Sequence, residues 1–241
     1  MARRMEAGTL TAAILGATLV TGFALPAHAG DSKLEISANT ALTTDYVFRG
    51  ISQTENGPAI QGGIDATYGL FYVGFWGSNV DFGIGDPSDI EIDYYGGITP
   101  SWQGIDFDLG AIFYTYPDSG PGVDIVEGKL GVSKTFMEAL TVGFTGYFSD
   151  RDYQAYEFGA EYGFANKWWM FAPSVSGLIG FVETDGSYVG DDYTYWNAGL
   201  TLGFWDQPNL AIDVRYWDTD NGTDCNQFCD SRAVATLSAA F

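Results

Sequence analysis

The sequence predicts an all-β chain: a transmembrane, antiparallel up-and-down β-barrel of about twelve strands with both termini periplasmic. Three observations predict it. Apolar and polar residues alternate with period two in segments of about ten residues, and no sustained helical spacing occurs. The connections between segments alternate between short and long, as they do when one barrel rim carries turns and the other carries loops. Aromatic residues crowd the segment ends, as in Phe75-Trp76, Trp102, Trp168-Trp169, Phe204-Trp205 and Tyr216-Trp217, which suits girdles at two bilayer interfaces. A soluble sandwich shows the same period, so the second and third observations decide which solvent the apolar face meets.

Taken in order, residues 1–29 read as a cleaved export signal. Arg3 and Arg4 open it, Leu10 to Ala24 is mostly apolar, and Ala27-His28-Ala29 has the small-x-small form of a cleavage site. The apolar run is shorter than the roughly 20 residues a spanning helix needs. Residues 30–241 then form a single barrel domain, with expected strands at 34–43, 58–68, 70–80, 90–99, 104–115, 123–134, 140–149, 153–164, 168–181, 192–204, 209–218 and 231–241. The 70–80 segment is apolar on both faces, and Pro173 interrupts 168–181. In 90–99, Ile90, Ile92, Tyr94 and Ile98 alternate with Glu91, Asp93, Tyr95 and Gly97. Ile105, Phe107, Leu109 and Ala111 alternate likewise with Asp106, Asp108 and Gly110, and Tyr156, Phe158, Ala160 and Tyr162 with Glu157, Gly159 and Glu161. The clearest case is 194–204, where Trp196, Ala198, Leu200, Leu202 and Phe204 alternate with Tyr195, Asn197, Gly199, Thr201 and Gly203. Short connections fall at 69, 100–103, 135–139, 165–167 and 205–208; long ones fall at 44–57, 81–89, 116–122, 150–152, 182–191 and 219–230. The last segment, ending in Phe241, resembles the strand that the outer-membrane assembly machinery reads.

Charge narrows the partners. The chain carries a formal charge of −21, and loss of residues 1–29 removes Arg3, Arg4, Glu6 and the only histidine, giving −22 with 8 basic and 30 acidic side chains. Such a balance repels nucleic acid and anionic lipid surfaces, so charged partners should be cations or basic proteins, while the barrel reading makes outer-membrane lipid and small hydrophilic or cationic solutes the expected partners. With 15 Tyr, 17 Phe and 7 Trp, the chain is nevertheless built to fold. No enzyme is expected, because a histidine base is absent from residues 30–241. Glu157 and Glu161 on one strand stand about 13 Å apart, beyond the spacing of paired hydrolytic carboxylates. Cys225 and Cys229 read as a local disulfide in an oxidising compartment. The acidic loops could hold calcium, but they lack the later glutamate of a helix–loop–helix calcium site, so no metal and no cofactor is expected.

If the apolar stripe meets lipid, parity turns Glu35, Asp65, Glu91, Asp93, Asp106, Asp108, Glu127, Glu157, Glu161 and Asp213 inward. Only Lys129, Arg215 and Arg232 oppose them. Acidic rings lower the energy of cations in a narrow lumen, so the expectation is a porin-like path for small hydrophilic solutes with cation preference. Inward glycines at Gly63, Gly97, Gly110, Gly131, Gly143, Gly159 and Gly199 argue for spare room. The alternative is a non-conducting structural or ligand-binding barrel with a filled interior. Whether the barrel is a monomer or a homo-oligomer stays open.

The run DYVFRGISQTENGPAIQGGID, followed by GLFYVGFWGSNVDF, supplies Asp45, Tyr46, Phe48, Arg49, Gly50, Ser52, Pro58, Ala59, Gln61, Gly62, Phe71, Tyr72, Gly74, Trp76, Ser78, Asn79 and Val80. In these residues the chain resembles the TorF family of proteobacterial porins. The resemblance implies an outer-membrane barrel of channel type. Arg49, near the top of the first hairpin and beside Asp45, is expected either to clamp the first loop to the wall or to serve as a constriction cation.

Overall fold

The computed structural model describes residues 33–120, 122–185, 191–220 and 225–241. The expected export signal lies outside the described residues. Among them, twelve long strands form one antiparallel sheet: β1 (Leu34–Thr43), β2 (Ala59–Tyr68), β3 (Phe71–Asn79), β4 (Ile90–Ile98), β5 (Ile105–Thr115), β6 (Ile125–Phe136), β7 (Leu140–Ser149), β8 (Tyr153–Gly163), β9 (Phe171–Thr184), β10 (Tyr193–Phe204), β11 (Gln207–Thr219) and β12 (Arg232–Ala240). Each strand pairs with its neighbours in sequence. The sheet closes where β1 meets β12, from Asn39 opposite Ala240 to Thr43 opposite Thr236. Phe241 extends the seam, exchanging backbone hydrogen bonds of 2.8 and 3.0 Å with Ala38. A closed ladder leaves no edge, which is the condition for strands to sit in hydrocarbon.

The near rim carries both ends of the barrel and the tight turns. Gly69, with φ of 60°, opens a two-residue turn between Tyr68 and Phe71. Gln103 and Gly104, at φ of 53° and 72°, join the short pair Ser101–Trp102 back to Ile105. The far rim carries the longer connections. β9 begins later than its apolar pattern starts, because Trp168 and Phe171 bridge across a turn in which Trp169 has φ of 55°.

The alternation sets the two faces. Ile36, Ile60, Phe71, Val73, Phe158 and Ile179 are more than half exposed on the outside of the wall. Trp102, Trp168, Trp169 and Trp205 are exposed at the near rim. Trp76 and Trp217, expected in a girdle, instead point inward at 5% and 4% exposure. They belong to the inward parity of β3 and β11, and the interior has aromatic partners for them.

Those partners come from the connection between β1 and β2, which folds into the far half of the barrel. Val47–Phe48 pairs with Ile51–Ser52, and Arg49 and Gly50, at φ of 49° and 84°, make a two-residue turn with the φ signs of a type I′ hairpin. Val47, Phe48 and Ile51 pack against Ile112, Tyr114, Ile125, Tyr147, Tyr153, Leu178, Val182, Tyr195 and Trp217. Burying a large apolar side chain stabilises by about 1.5 to 3 kcal/mol, so this hairpin is anchored as a core element.

Candidate functional site

The interior divides into a far half around the hairpin and a near half lined by paired charges. In the far half, Arg49 donates to both carboxylate oxygens of Glu127, at 2.6 and 2.8 Å. Glu127 also accepts from the Tyr114 hydroxyl at 2.9 Å and the Tyr153 hydroxyl at 2.8 Å. The guanidinium lies 4.6 Å from the ring centroids of Phe48 and Tyr147. The pair is 5% and 0% exposed. Burial opposes the charge on Arg49, but the Glu127 carboxylate outweighs it and holds the guanidinium above its ordinary pKa. Glycine is required beside it: a Cβ on Gly50 would stand 2.7 Å from Tyr195 Cβ.

Arg49 does not pair with Asp45, its expected neighbour. Asp45 accepts from Arg232 Nη1 at 2.7 Å, from the Ser52 hydroxyl at 2.7 Å and from the Thr54 hydroxyl at 3.0 Å. Arg232 also donates to Asn56 and to the carbonyls of Gln227 and Phe228, at 3.0 and 2.7 Å. Cys225 and Cys229 form a disulfide around that short 3₁₀ turn, Asn226–Cys229. One arginine therefore ties the base of the inner hairpin to the disulfide loop and to β12.

On the other side, the Tyr46 hydroxyl donates to Glu91 at 2.8 Å, and its ring meets Trp76 edge-on at 5.4 Å between centroids. Burial and the Glu91 charge push the Tyr46 phenol well above its ordinary pKa, so it stays a proton donor. Asp93, two residues along the same inward face of β4, is 0% exposed, and neither carboxylate oxygen has a hydrogen-bond partner.

The near half and the waist are built differently. Lys129 meets Asp108 at 2.6 Å, and the Tyr72 hydroxyl donates to Asp108 at 2.8 Å. The Tyr95 hydroxyl donates to Asp65, and that of Tyr195 to Glu157. Arg215 gathers Asp213 at 3.0 Å, Asn197 at 2.6 Å and Ser176 at 2.9 Å, while Thr201 donates to Asp213 at 2.8 Å. Asp106 accepts from Ser101 at the near rim. Glu161 is half-buried and Glu35 exposed there.

Of the inward glycines, Gly63, Gly97, Gly110, Gly131 and Gly199 do not leave open space, whereas Gly163 at the near rim does. A Cβ on Gly97 would lie 2.7 Å from the Tyr72 hydroxyl oxygen, and one on Gly199 2.9 Å from the Arg215 guanidinium carbon. The slot at Gly180 is filled by the Tyr195 ring. Glycine on one strand thus makes room for a large side chain on the next. Sequence reasoning missed this inward set of tyrosines, Tyr46, Tyr72, Tyr95, Tyr114, Tyr147, Tyr153 and Tyr195. The parity that placed Asp93 inward also placed Tyr95 inward, so the signal was present.

The fold has relatives among solved structures. The chain is similar to the KdgM porin at 11% identity and a TM-score of 0.60, covering 85% of this chain and 99% of that one. It is similar to the NanC porin at 9% identity and a TM-score of 0.54, covering 86% and 99%. It is also similar to the COG4313 outer membrane channel from Pseudomonas putida F1 at 10% identity and a TM-score of 0.51, covering 90% and 99%. At these identities the likeness is one of fold: a closed antiparallel barrel of outer-membrane porin type. A comparison with curated proteins finds no match. One family model matches residues 27–241, nearly the whole chain, and the chain therefore belongs to the family described as bacterial protein of unknown function (Gcw_chp).

Proposed function

We propose that this chain is a porin-like channel of the bacterial outer membrane that passes small hydrophilic solutes, prefers cations, and is narrowed from its outer side by the inner hairpin. In this reading the termini and tight turns face the periplasm, residues 1–29 direct export, and the exposed apolar wall meets lipid. The resemblance of residues 45–80 to TorF-family porins supports the same assignment. So do the solved porin and channel structures with this fold. No catalytic role is proposed for the interior carboxylates, which have no histidine beside them in residues 30–241.

The carrying observation is the charge of the enclosed surface. Ten inward carboxylates on the strands, and Asp45 at the base of the hairpin, face Arg49, Lys129, Arg215 and Arg232, and each of these four cations is already engaged by one carboxylate. A surplus of enclosed negative charge lowers the energy of a passing cation and raises that of an anion. The hairpin is held largely by side chains, through Arg49–Glu127 and Asp45–Arg232, and its strands pair only with each other. Such an insert can shift without opening the barrel wall.

A second reading is a closed structural barrel, favoured by the complete burial of Ala155 and Tyr195 beneath the hairpin. Planar-bilayer recording of purified, refolded protein under a potassium chloride gradient decides between them. The expected result is channel activity with a reversal potential of cation-selective sign. Anion selectivity overturns the preference, and a silent membrane containing correctly folded barrels favours the second reading.

A further inference from the structure

Within the far half, Glu91 and Asp93 form an acidic pair that the wall and hairpin enclose. Asp93 stands opposite Trp76 on β3 and Tyr114 on β5, and Glu91 stands opposite Ser78. Tyr46 covers the pair from the hairpin, with its hydroxyl on Glu91. The nearby cation, Arg49, gives both terminal nitrogens to Glu127. Arg232 is committed to Asp45. No ion pair among the described residues includes Glu91 or Asp93. Both oxygens of the fully buried Asp93 lack a partner. A buried carboxylate without a counter-charge costs several kcal/mol, so this arrangement calls for a positive species beside it.

We propose that Glu91 and Asp93 bind one small alkali cation inside the barrel. The donors are hard oxygens throughout, which select alkali and alkaline-earth ions over zinc or copper. Calcium takes six to eight oxygens, commonly from several carboxylates, and no group of three or more acidic, cysteine or histidine side chains arranged for a metal occurs among the described residues. Two carboxylates, one of them held by the phenols of Tyr46 and Tyr116, suit a singly charged, exchangeable ion. The binding is independent of conduction: a barrel that never opens would still hold the ion.

The test is thermal unfolding of the refolded full barrel in detergent at fixed pH and ionic strength, in sodium chloride against N-methylglucamine chloride. Sodium at roughly ten times its dissociation constant should raise the midpoint by about 3 °C. Asp93→Asn, and separately Glu91→Gln, should abolish the difference between the two salts. Equal midpoints for the wild type in both salts overturn the proposal and leave a proton as the occupant. A sodium effect that survives undiminished in both variants, or a response to calcium alone, also overturns it. The wild-type comparison stands even if a variant fails to fold.

Discussion

The far and near halves of the interior use the same inward parity to opposite ends. In the far half, the stripe from β5 to β12 carries Ile112, Tyr114, Ile125, Tyr153, Leu178, Tyr195 and Trp217, closes on the hairpin and excludes water. In the near half it carries Asp108, Lys129, Asp213 and Arg215, which pair as ions, Asp108 with Lys129 across neighbouring strands and Asp213 with Arg215 along β11. Inward-facing therefore does not mean water-lined. What a stripe does depends on whether a second layer of chain is available to bury it, and only the far half has one.

Breaking the far half should have the largest effect. Glu127→Gln leaves Arg49 buried without its counter-ion, and loss of one partner of a buried pair costs about 3 to 5 kcal/mol. Thermal or urea unfolding in detergent should show a large drop, with increased open probability in bilayers as the hairpin loosens. Gly50→Ala is the next largest. It places a Cβ against Tyr195 and forces a positive φ on alanine, a strain of about 1 to 3 kcal/mol, so the hairpin should unseat and conductance rise more than stability falls. Lys129→Ala should have the smallest effect on folding of the three, because Lys129 is the more accessible member of its pair and Asp108 keeps the Tyr72 hydroxyl when the ammonium is lost. On the proposed channel reading its readout is selectivity, with the reversal potential moving toward the cation limit. A Lys129 variant as destabilising as Glu127→Gln would erase the distinction between the halves.

Much of the wall was legible because period two survives noise: Thr194 to Phe204 and Tyr156 to Tyr162 read as strands on alternation alone. Pro173 looked like an interruption, yet it sits inside β9, opposite Leu202. The inner hairpin was harder. Residues 44–57 lie between two strands and read as an external loop, and nothing local tells a chain whether its loop turns outward or inward. The clue was Val47, Phe48 and Ile51, three apolar residues too many for a solvated loop. The partner of Arg49 was not legible, since Glu127 is 78 residues away and parity assigns a face without assigning a contact. The unpartnered Asp93 beside Glu91 was visible only as one of two more acids in a stripe.

The seam between β1 and β12 joins the two ends of the chain around the hairpin. The hairpin leaves the first strand, but Glu127, Tyr195 and Arg232, which grip it, arrive on strands made much later. Its contacts therefore depend on strands spread over nearly the whole sheet. Long-range pairing of this kind is slow because chain entropy is lost before the contacts that compensate it can form. β12 carries Arg232 to Asp45, so the pairing that seals the wall at the β1–β12 seam also fastens its contents.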